Sequence, residues 1–347
     1  MKVLVTGGAG FIGSHVALFY AEKEHEVIAL DNLSRMNVLA SASEKRNTAG
    51  YNWNYLKKAE NIKRIEADIR NEEKIEKIAN DVDAIIHCAG QVAVTSSLAE
   101  RREDFTTNAL GTFNVLEAAR KAKTDPALVF TSTNKVYGNN VNRIPVKEKG
   151  TRYEFDEEYS NGISEEFPID TCEHTPYGVS KLSGDLYVQD YAYRNELDAA
   201  VFRMSCIYGP RQFGVEDQGW VAHFIISILE DNGLTIYGDG KQVRDVLWVD
   251  DLVKAFDSFI ERKNEIDNPI FNIGGGENNT LSLLELLDIV GNESGKRTEV
   301  KYGDWREGDQ KVYVSDISKA RKELSWSPQN NPDQGIRKFI DWYKSTG

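Results

Sequence analysis

The segment Met1-Lys2-Val3-Leu4-Val5-Thr6-Gly7-Gly8-Ala9-Gly10-Phe11-Ile12-Gly13 decides how the rest of the chain is to be read. A short apolar run, Val3-Leu4-Val5, leads straight into Gly7, Gly10 and Gly13 at GxxGxxG spacing. In a strand-turn-helix unit Gly7 allows the tight turn, Gly10 lets backbone approach a pyrophosphate, and Gly13 lets the helix pack closely on the sheet. The positive end of that helix, opening near Phe11 and Ile12, then faces the phosphates. The next apolar run, Val27-Ile28-Ala29-Leu30, ends in Asp31. A carboxylate at that strand end, about 20 residues on, can hydrogen-bond the adenine-ribose hydroxyls. It would repel a 2′-phosphate, so NAD is expected over NADP, with Arg35 nearby working against that preference.

The alternation continues outward from this unit. Lys63-Arg64-Ile65-Glu66-Ala67 ends at Asp68, and Ala84-Ile85-Ile86-His87-Cys88 ends at Ala89-Gly90. Leu128 to Ser132 and Ala199 to Arg203 follow. Short β-branched runs separated by longer helical patterns predict an α/β chain with a doubly wound parallel sheet of the Rossmann kind. Beyond about Tyr208, glycine-rich turns such as Tyr237-Gly238-Asp239-Gly240 separate strands from helices such as Leu281 to Val290. That pattern predicts a smaller α+β C-terminal substrate lobe. The expected division is a NAD-binding domain over 1–180, with returns near 199–206 and 244–257, and a mainly substrate-binding lobe over 181–347. Residues 139–175 are polar without clear periodicity and read as a long substrate-facing loop.

Composition narrows the chemistry. The 347 residues carry a formal charge of −13, which argues against nucleic acid or an anionic membrane surface as partner. A content of 40% hydrophobic and 28% charged residues is ordinary for a soluble enzyme. The three cysteines, Cys88, Cys172 and Cys206, are widely spaced, and the five histidines show no metal-ligand spacing. No metal centre and no disulfide framework are expected, and the expected location is the cytoplasm. No stretch approaches the roughly 20 apolar residues of a membrane span.

Further along, Tyr177 and Lys181 stand four residues apart in Pro176-Tyr177-Gly178-Val179-Ser180-Lys181. A helix would project them side by side. A lysine charge there is expected to favour tyrosinate and lower the phenol's pKa from about 10, making it a base for a sugar or alcohol hydroxyl. Alone, the pair is also what chance puts on an exposed helix face.

Gly7 to Gly13, Asp31-Asn32-Leu33-Ser34, Asp68-Ile69-Arg70, Tyr177-x-x-x-Lys181 and Arg203 to Pro210 together resemble the extended short-chain dehydrogenase/reductase family of nucleotide-sugar enzymes. The resemblance implies NAD as cofactor, a nucleotide diphosphate sugar as substrate, and a homodimer. It also implies a cofactor site of Gly7, Gly10, Phe11, Ile12, Gly13, Asp31, Asn32, Ser34, Arg35, Asp68, Ile69, Cys88, Ala89, Gly90, Gln91, Asn108, Tyr177 and Lys181. Thr133, Tyr177 and Lys181 would be catalytic. Thr133 would hydrogen-bond the sugar oxygen being oxidised, Tyr177 would be the base, and Lys181 would acidify it and hold the nicotinamide ribose. Gln91, Thr133, Asn134, Tyr177, Arg211, Gln212, Arg244 and Arg306 would meet the substrate, the last two at its pyrophosphate; either arginine could instead serve a surface ion pair. Dehydratases of the family carry Asp-Glu after the serine or threonine, whereas this chain has Asn134-Lys135. Elimination lacks its carboxylates, which favours epimerisation. Finer similarity, in Ser132 to Gly138, Gly209 to Phe213 and Gly240 to Leu247, points to the branch that epimerises C2 of a CDP-hexose. A UDP-hexose 4-epimerase with the same Thr-Tyr-Lys triad is the alternative, and a catalytically silent dinucleotide-binding regulator is the reading from another class.

Overall fold

The structure is a computed structural model that describes residues 1–34, 48–306 and 308–346. Arg35 lies outside the described residues. Seven strands form one parallel sheet: Lys2–Thr6 (β1), Glu26–Asp31 (β2), Ile62–Glu66 (β3), Ala84–His87 (β4), Ala127–Thr133 (β5), Ala199–Met204 (β6) and Ile270–Ile273 (β7). Their order is β3-β2-β1-β4-β5-β6-β7, so the winding reverses between β1 and β4. Open α/β sheets bind ligands at the carboxyl ends of the strands flanking such a reversal. The fold is therefore the expected α/β, doubly wound sheet.

Strand periodicity explains the two covered faces. Val3 and Val5 point to one side with Val27, Ala29, Ile86 and Val129, where they meet helices Phe11–Glu22 (α1) and Val249–Arg262. Leu4, Ile28, Ile85, Leu128 and Phe130 point to the other, toward helices Glu72–Ala79 (α2), Gly111–Lys121 (α3) and Pro176–Tyr193 (α4). Side chains alternating at period two bury both faces, so the central strands must be apolar throughout, whereas edge strand β3 carries Lys63, Arg64 and Glu66.

Helix α4 starts where local chemistry tells it to. The Thr175 hydroxyl accepts the Gly178 N–H at 3.2 Å, and Pro176 occupies the first turn, where its missing N–H costs nothing. The helix is then tied to the sheet by a buried ion pair. Arg203 of β6, 2% exposed, donates through Nε and Nη2 to Asp185 of α4, 0% exposed, at 3.0 and 3.1 Å. Ser132 of β5 donates to the same carboxylate at 2.6 Å, as does Gln189 at 2.6 Å.

Beyond β6 the chain builds smaller units. Cys206–Tyr208, Val243–Trp248, Thr280–Ser282 and Val312–Tyr313 form a four-stranded sheet, and Leu234–Tyr237 pairs with Val300–Gly303. Helices Trp220–Leu229, Leu283–Ser294 and Pro332–Ser345 share a core that includes Tyr208, Ile225, Leu286, Ile336 and Phe339. Two details differ from the sequence expectation. The helix expected from Leu281 starts at Leu283, because Ser282 and Glu285 form a capping box while Leu281 pairs with Arg244 in a strand. The stretch 139–175 is not only loop: Val146–Lys149 and Arg152–Phe155 form an antiparallel hairpin. No helix among the described residues is long and apolar enough to cross a membrane.

Removing one partner of the buried pair leaves the other charge uncompensated. Asp185→Ala should lower the unfolding free energy by about 3–5 kcal/mol in a urea titration. A loss below about 1 kcal/mol would show that the pair does not hold α4 to the sheet.

Candidate active site

The first turn is built for close approach. Gly7 has φ +71°, and a Cβ placed on Gly13 would lie 2.1 Å from the Gly7 carbonyl oxygen. Only hydrogen fits at either position. Gly10 caps α1 without a side chain; its N–H donates to Gly7 O at 2.9 Å and its carbonyl accepts Ser14 N–H at 3.0 Å. The first-turn N–H groups, those of Phe11 and Ile12 among them, are thus left to an external acceptor, and the helix end favours an anion.

At the end of β2, Asp31 Oδ2 accepts the Ala9 N–H at 3.0 Å and Oδ1 the Leu33 N–H at 2.8 Å. The carboxylate is therefore fastened to the glycine turn itself. Asn32 accepts the Ser34 N–H at 3.1 Å and donates to Asp68 at 2.9 Å. Arg70 grips Asp68 at 2.7 Å, and this guanidinium, helped by Asn32, holds the carboxyl at about 2. Ile69 is buried beside them. A cradle that any Cβ would fill, a helix end without a cap and a fixed carboxylate at the next strand end fit the pyrophosphate and adenosine of a dinucleotide.

Across the reversal, Cys88, Ala89, Gly90 and Gln91 follow β4. Thr6 Oγ1 pairs with His87 Nδ1 at 2.7 Å and accepts the Ala89 N–H at 3.2 Å. Asn108 lies on a π-helical turn, Thr106–Leu110, which aims it inward. Its amide donates to Gln91 O and Ser180 Oγ at 3.0 Å each, while its Oδ1 accepts the Gln91 N–H at 2.8 Å. Asn108 thus joins the loop after β4 to α4. The Gln91 amide folds back on the Ala93 backbone. Burial pushes the Cys88 thiol up to about 12, so it stays protonated.

Thr133 ends β5, and Tyr177 and Lys181 lie in the first two turns of α4. All three are buried. The Thr133 hydroxyl contacts Asn134 Oδ1 at 3.3 Å and is hydrogen-bonded with the Tyr177 phenol. The Tyr177 N–H donates to Ser97 Oγ at 3.1 Å, fixing the start of the helix. One expectation is overturned here. The phenol is not acidified below 10; burial pushes it up to about 12, with the Thr133 hydrogen bond pulling the other way. Burial also brings the Lys181 ammonium down to about 8, and it sits 4.1 Å from the Phe130 ring centre. Burial is the leading cause for both groups, and Lys181 is not among the influences on the phenol.

The residues expected at the substrate separate into groups. Asn134 touches Thr133. Arg244 donates from Nη1 to its neighbour Val243 O at 2.8 Å. Arg306 is held by Glu216 at 3.0 Å and Asp217 at 3.3 Å and lies 3.8 Å over the Tyr237 ring. Arg211, at φ +63°, stacks 4.8 Å over Tyr55 beside α1, where its Nε and Nη2 are buried without partners. Gln212 donates to Ile207 O at 3.2 Å. Sequence reasoning passed over Ser97 and Asp185, and read Lys135 only as a departure from the dehydratase carboxylates. Their partners come from distant parts of the chain, and no short-range spacing announces them.

Comparisons with known proteins agree with this arrangement. Residues 3–274 match the model of the NAD dependent epimerase/dehydratase family. The chain is 38% identical to CDP-paratose 2-epimerase of Salmonella typhi, over 99% of this chain and 100% of that one. It superposes with a TM-score of 0.81 and 31% identity on UDP-glucose 4-epimerase of Thermotoga maritima bound to UDP-glucose, covering 100% and 99% of the two chains. UDP-glucuronic acid 4-epimerase of Bacillus cereus, in complex with UDP-glucuronic acid and NAD, superposes at 0.82 with 28% identity and full coverage of both.

Replacing Asp31 by Ala removes the carboxylate fastened to the glycine turn. D31A should weaken NAD binding by about 10-fold or more, read by isothermal titration calorimetry. Unchanged affinity would show that Asp31 serves only the turn.

Proposed function

This chain belongs to the NAD dependent epimerase/dehydratase family, and from that membership we propose that it inverts C2 of a CDP-hexose, as in the change from CDP-paratose to CDP-tyvelose. It is an NAD-dependent nucleotide-sugar epimerase by family. One observation carries epimerisation over elimination. Thr133 and Tyr177 meet in a buried pocket whose next two residues are Asn134 and Lys135, so the hydroxyl chemistry has a base but elimination of water has no carboxylate. Identity of 38% along the whole length of a CDP-paratose 2-epimerase supports C2 and the CDP group.

Bound NAD supplies the hydride acceptor and donor, and its oxidised ring the positive charge that a phenol at about 12 needs to ionise. Gly7, Gly10, Phe11, Ile12, Gly13, Asp31, Asn32, Ser34, Asp68, Ile69, Cys88, Ala89, Gly90, Asn108 and Lys181 would hold it. Tyr177 takes the proton of the sugar hydroxyl and later returns it, so protons balance over the cycle. Thr133 hydrogen-bonds the same oxygen and keeps it facing Tyr177. Lys181 holds the nicotinamide ribose. Gln91, Asn134, Arg211 and Gln212 would meet the substrate, with Arg244 and Arg306 as cations for its diphosphate.

Oligomeric state and location complete the proposal. Leu98, Phe105, Leu110, Val179, Leu186 and Tyr187 are exposed apolar side chains, three on the helical turns of 94–110 and three on α4, and support a homodimer formed through these helices. A cytoplasmic location suits a nucleotide-sugar substrate and three free cysteines. The division at residue 180, with returns near 199–206 and 244–257, goes with the same proposal. A UDP-hexose 4-epimerase is the second reading, favoured by the likeness to the Thermotoga maritima enzyme.

Purified enzyme incubated with CDP-sugars and UDP-sugars and followed by proton NMR should show inversion at C2 of the CDP-sugar. Inversion at C4 alone would replace the proposal by the second reading. Tyr177→Phe should lower turnover by about 10²–10⁴-fold while NAD still binds. Retention of most activity would remove Tyr177 as the base.

A further inference from the structure

Lys135 directly follows the Thr133-Asn134 pair, and nothing above gives it work. Its backbone sits between the Thr133 side chain and the first turn of α4. The Lys135 N–H donates to Thr133 Oγ1 at 3.2 Å, and a Cβ on Gly178 would come within 2.9 Å of the Lys135 carbonyl oxygen. The ammonium, by contrast, is poorly provided for. Its hydrogen bond is to the Gly308 carbonyl at 3.3 Å, and among the described residues it forms no ion pair. Arg244 is in the same position, donating only to the carbonyl of its neighbour Val243. The two cations act on each other: besides burial, Arg244 is the main influence on Lys135, and Asp309 and Cys206 are the other groups facing it. Arg306 is not available in the same way, since Glu216 and Asp217 hold it.

Among the described residues these two neighbouring cations face one carboxylate, Asp309, so the half-buried pocket keeps an excess of positive charge whose desolvation and repulsion cost a bound anion removes. We propose that Lys135 and Arg244 together grip the phosphate esterified to the anomeric carbon of the nucleotide sugar, so that Lys135 fixes which ring carbon meets Thr133 and Tyr177. This rests on the nucleotide-sugar reading above and sharpens it. Carbon C2 is bonded to the anomeric carbon, whereas C4 lies on the far side of the ring. A phosphate gripped two residues beyond Thr133 brings C2 to the catalytic hydroxyls; presenting C4 would require the ring to be turned end for end. The arginine contributes a planar fork of donors and the lysine a point charge, a pairing suited to a phosphate with oxygens in several directions.

The test is calorimetric binding of CDP and CMP to NAD-loaded wild type and Lys135→Met, with UDP and UMP run alongside. Loss of Lys135 should raise the Kd of the nucleoside diphosphate by about 10- to 100-fold and leave the monophosphate and NAD within about twofold. Lys135→Arg, which keeps the charge, should recover part of the loss. Burial holds the Lys135 ammonium at about 8. Diphosphate affinity of the wild type should therefore fall as pH rises through about 8, and that of Lys135→Met should not. Unchanged diphosphate affinity in Lys135→Met, or equal loss of mono- and diphosphate, would overturn the assignment while leaving the epimerase reading intact. Failure of the wild type to bind any of the four nucleotides would remove the nucleotide-sugar reading itself, and the assignment with it.

Discussion

Asp185 is the point through which three elements agree on one geometry. It takes hydrogen bonds from Arg203 on β6, Ser132 on β5 and Gln189 on its own helix. Ser132 precedes Thr133, and Asp185 lies one turn beyond Lys181. The carboxylate therefore sets the distance between the strand that carries the threonine and the helix that carries the tyrosine and lysine. A buried charge tolerates little drift, because each lost partner leaves a group without water or counter-charge. Arg203 extends the constraint through Tyr137 to Asn272, which lies on β7. The geometry of the proposed catalytic residues is thus held from behind, by buried side chains of the frame.

The pocket in front of this frame works by withholding charge compensation. Asp68 keeps its ionised form because Arg70 and Asn32 surround it. Tyr177 and Lys181 have no comparable partners, and burial drives each toward its neutral form, at about 12 and about 8. Desolvation of this kind makes the state of the site depend on what is bound. An oxidised nicotinamide ring would bring positive charge, and a diphosphate sugar negative charge, into the same dry space. The protein has arranged dipoles and cations for both before either arrives, so little reorganisation is needed when they react.

The sheet was legible in the sequence because each buried strand is a short apolar run ending in a functional residue, as with Leu30 before Asp31 and Ser132 before Thr133. The glycine turn was legible because sterics leave no alternative: Gly13 touches the Gly7 carbonyl closely enough to exclude a methyl group. Less visible was whatever depends on distant partners. The hairpin at 146–155 has charged strands with a weak period-two pattern, and its pairing comes from the turn at Gly150. The start of the helix at Leu283 turned on a capping box that apolar spacing ignores. The pKa of Tyr177 went in the opposite direction to expectation, because spacing gives proximity to Lys181 but not the degree of burial that outweighs it. Asp185 read as an unremarkable polar residue until the fold placed it beside Arg203, and Lys135 was legible only as a missing carboxylate.

The position of β7 at the sheet edge has a consequence for synthesis. Five strands of the sheet are complete by residue 133, but β6 ends at 204 and β7 at 273. A nascent chain emerging from the ribosome would present β5 as an open edge, with Phe130, Thr131 and Ser132 lacking their backbone partners, until about 70 further residues had followed. Phe202 and Phe271, on the hydrophobic face that packs against α1 and helix Val249–Arg262, arrive late, and Ile317, Ala320, Leu324 and Trp326 of the same cluster later still. Translation of the second half is therefore part of finishing the first, and a chain stopped short of Ile273 would leave the dinucleotide half with an unsealed, adhesive border.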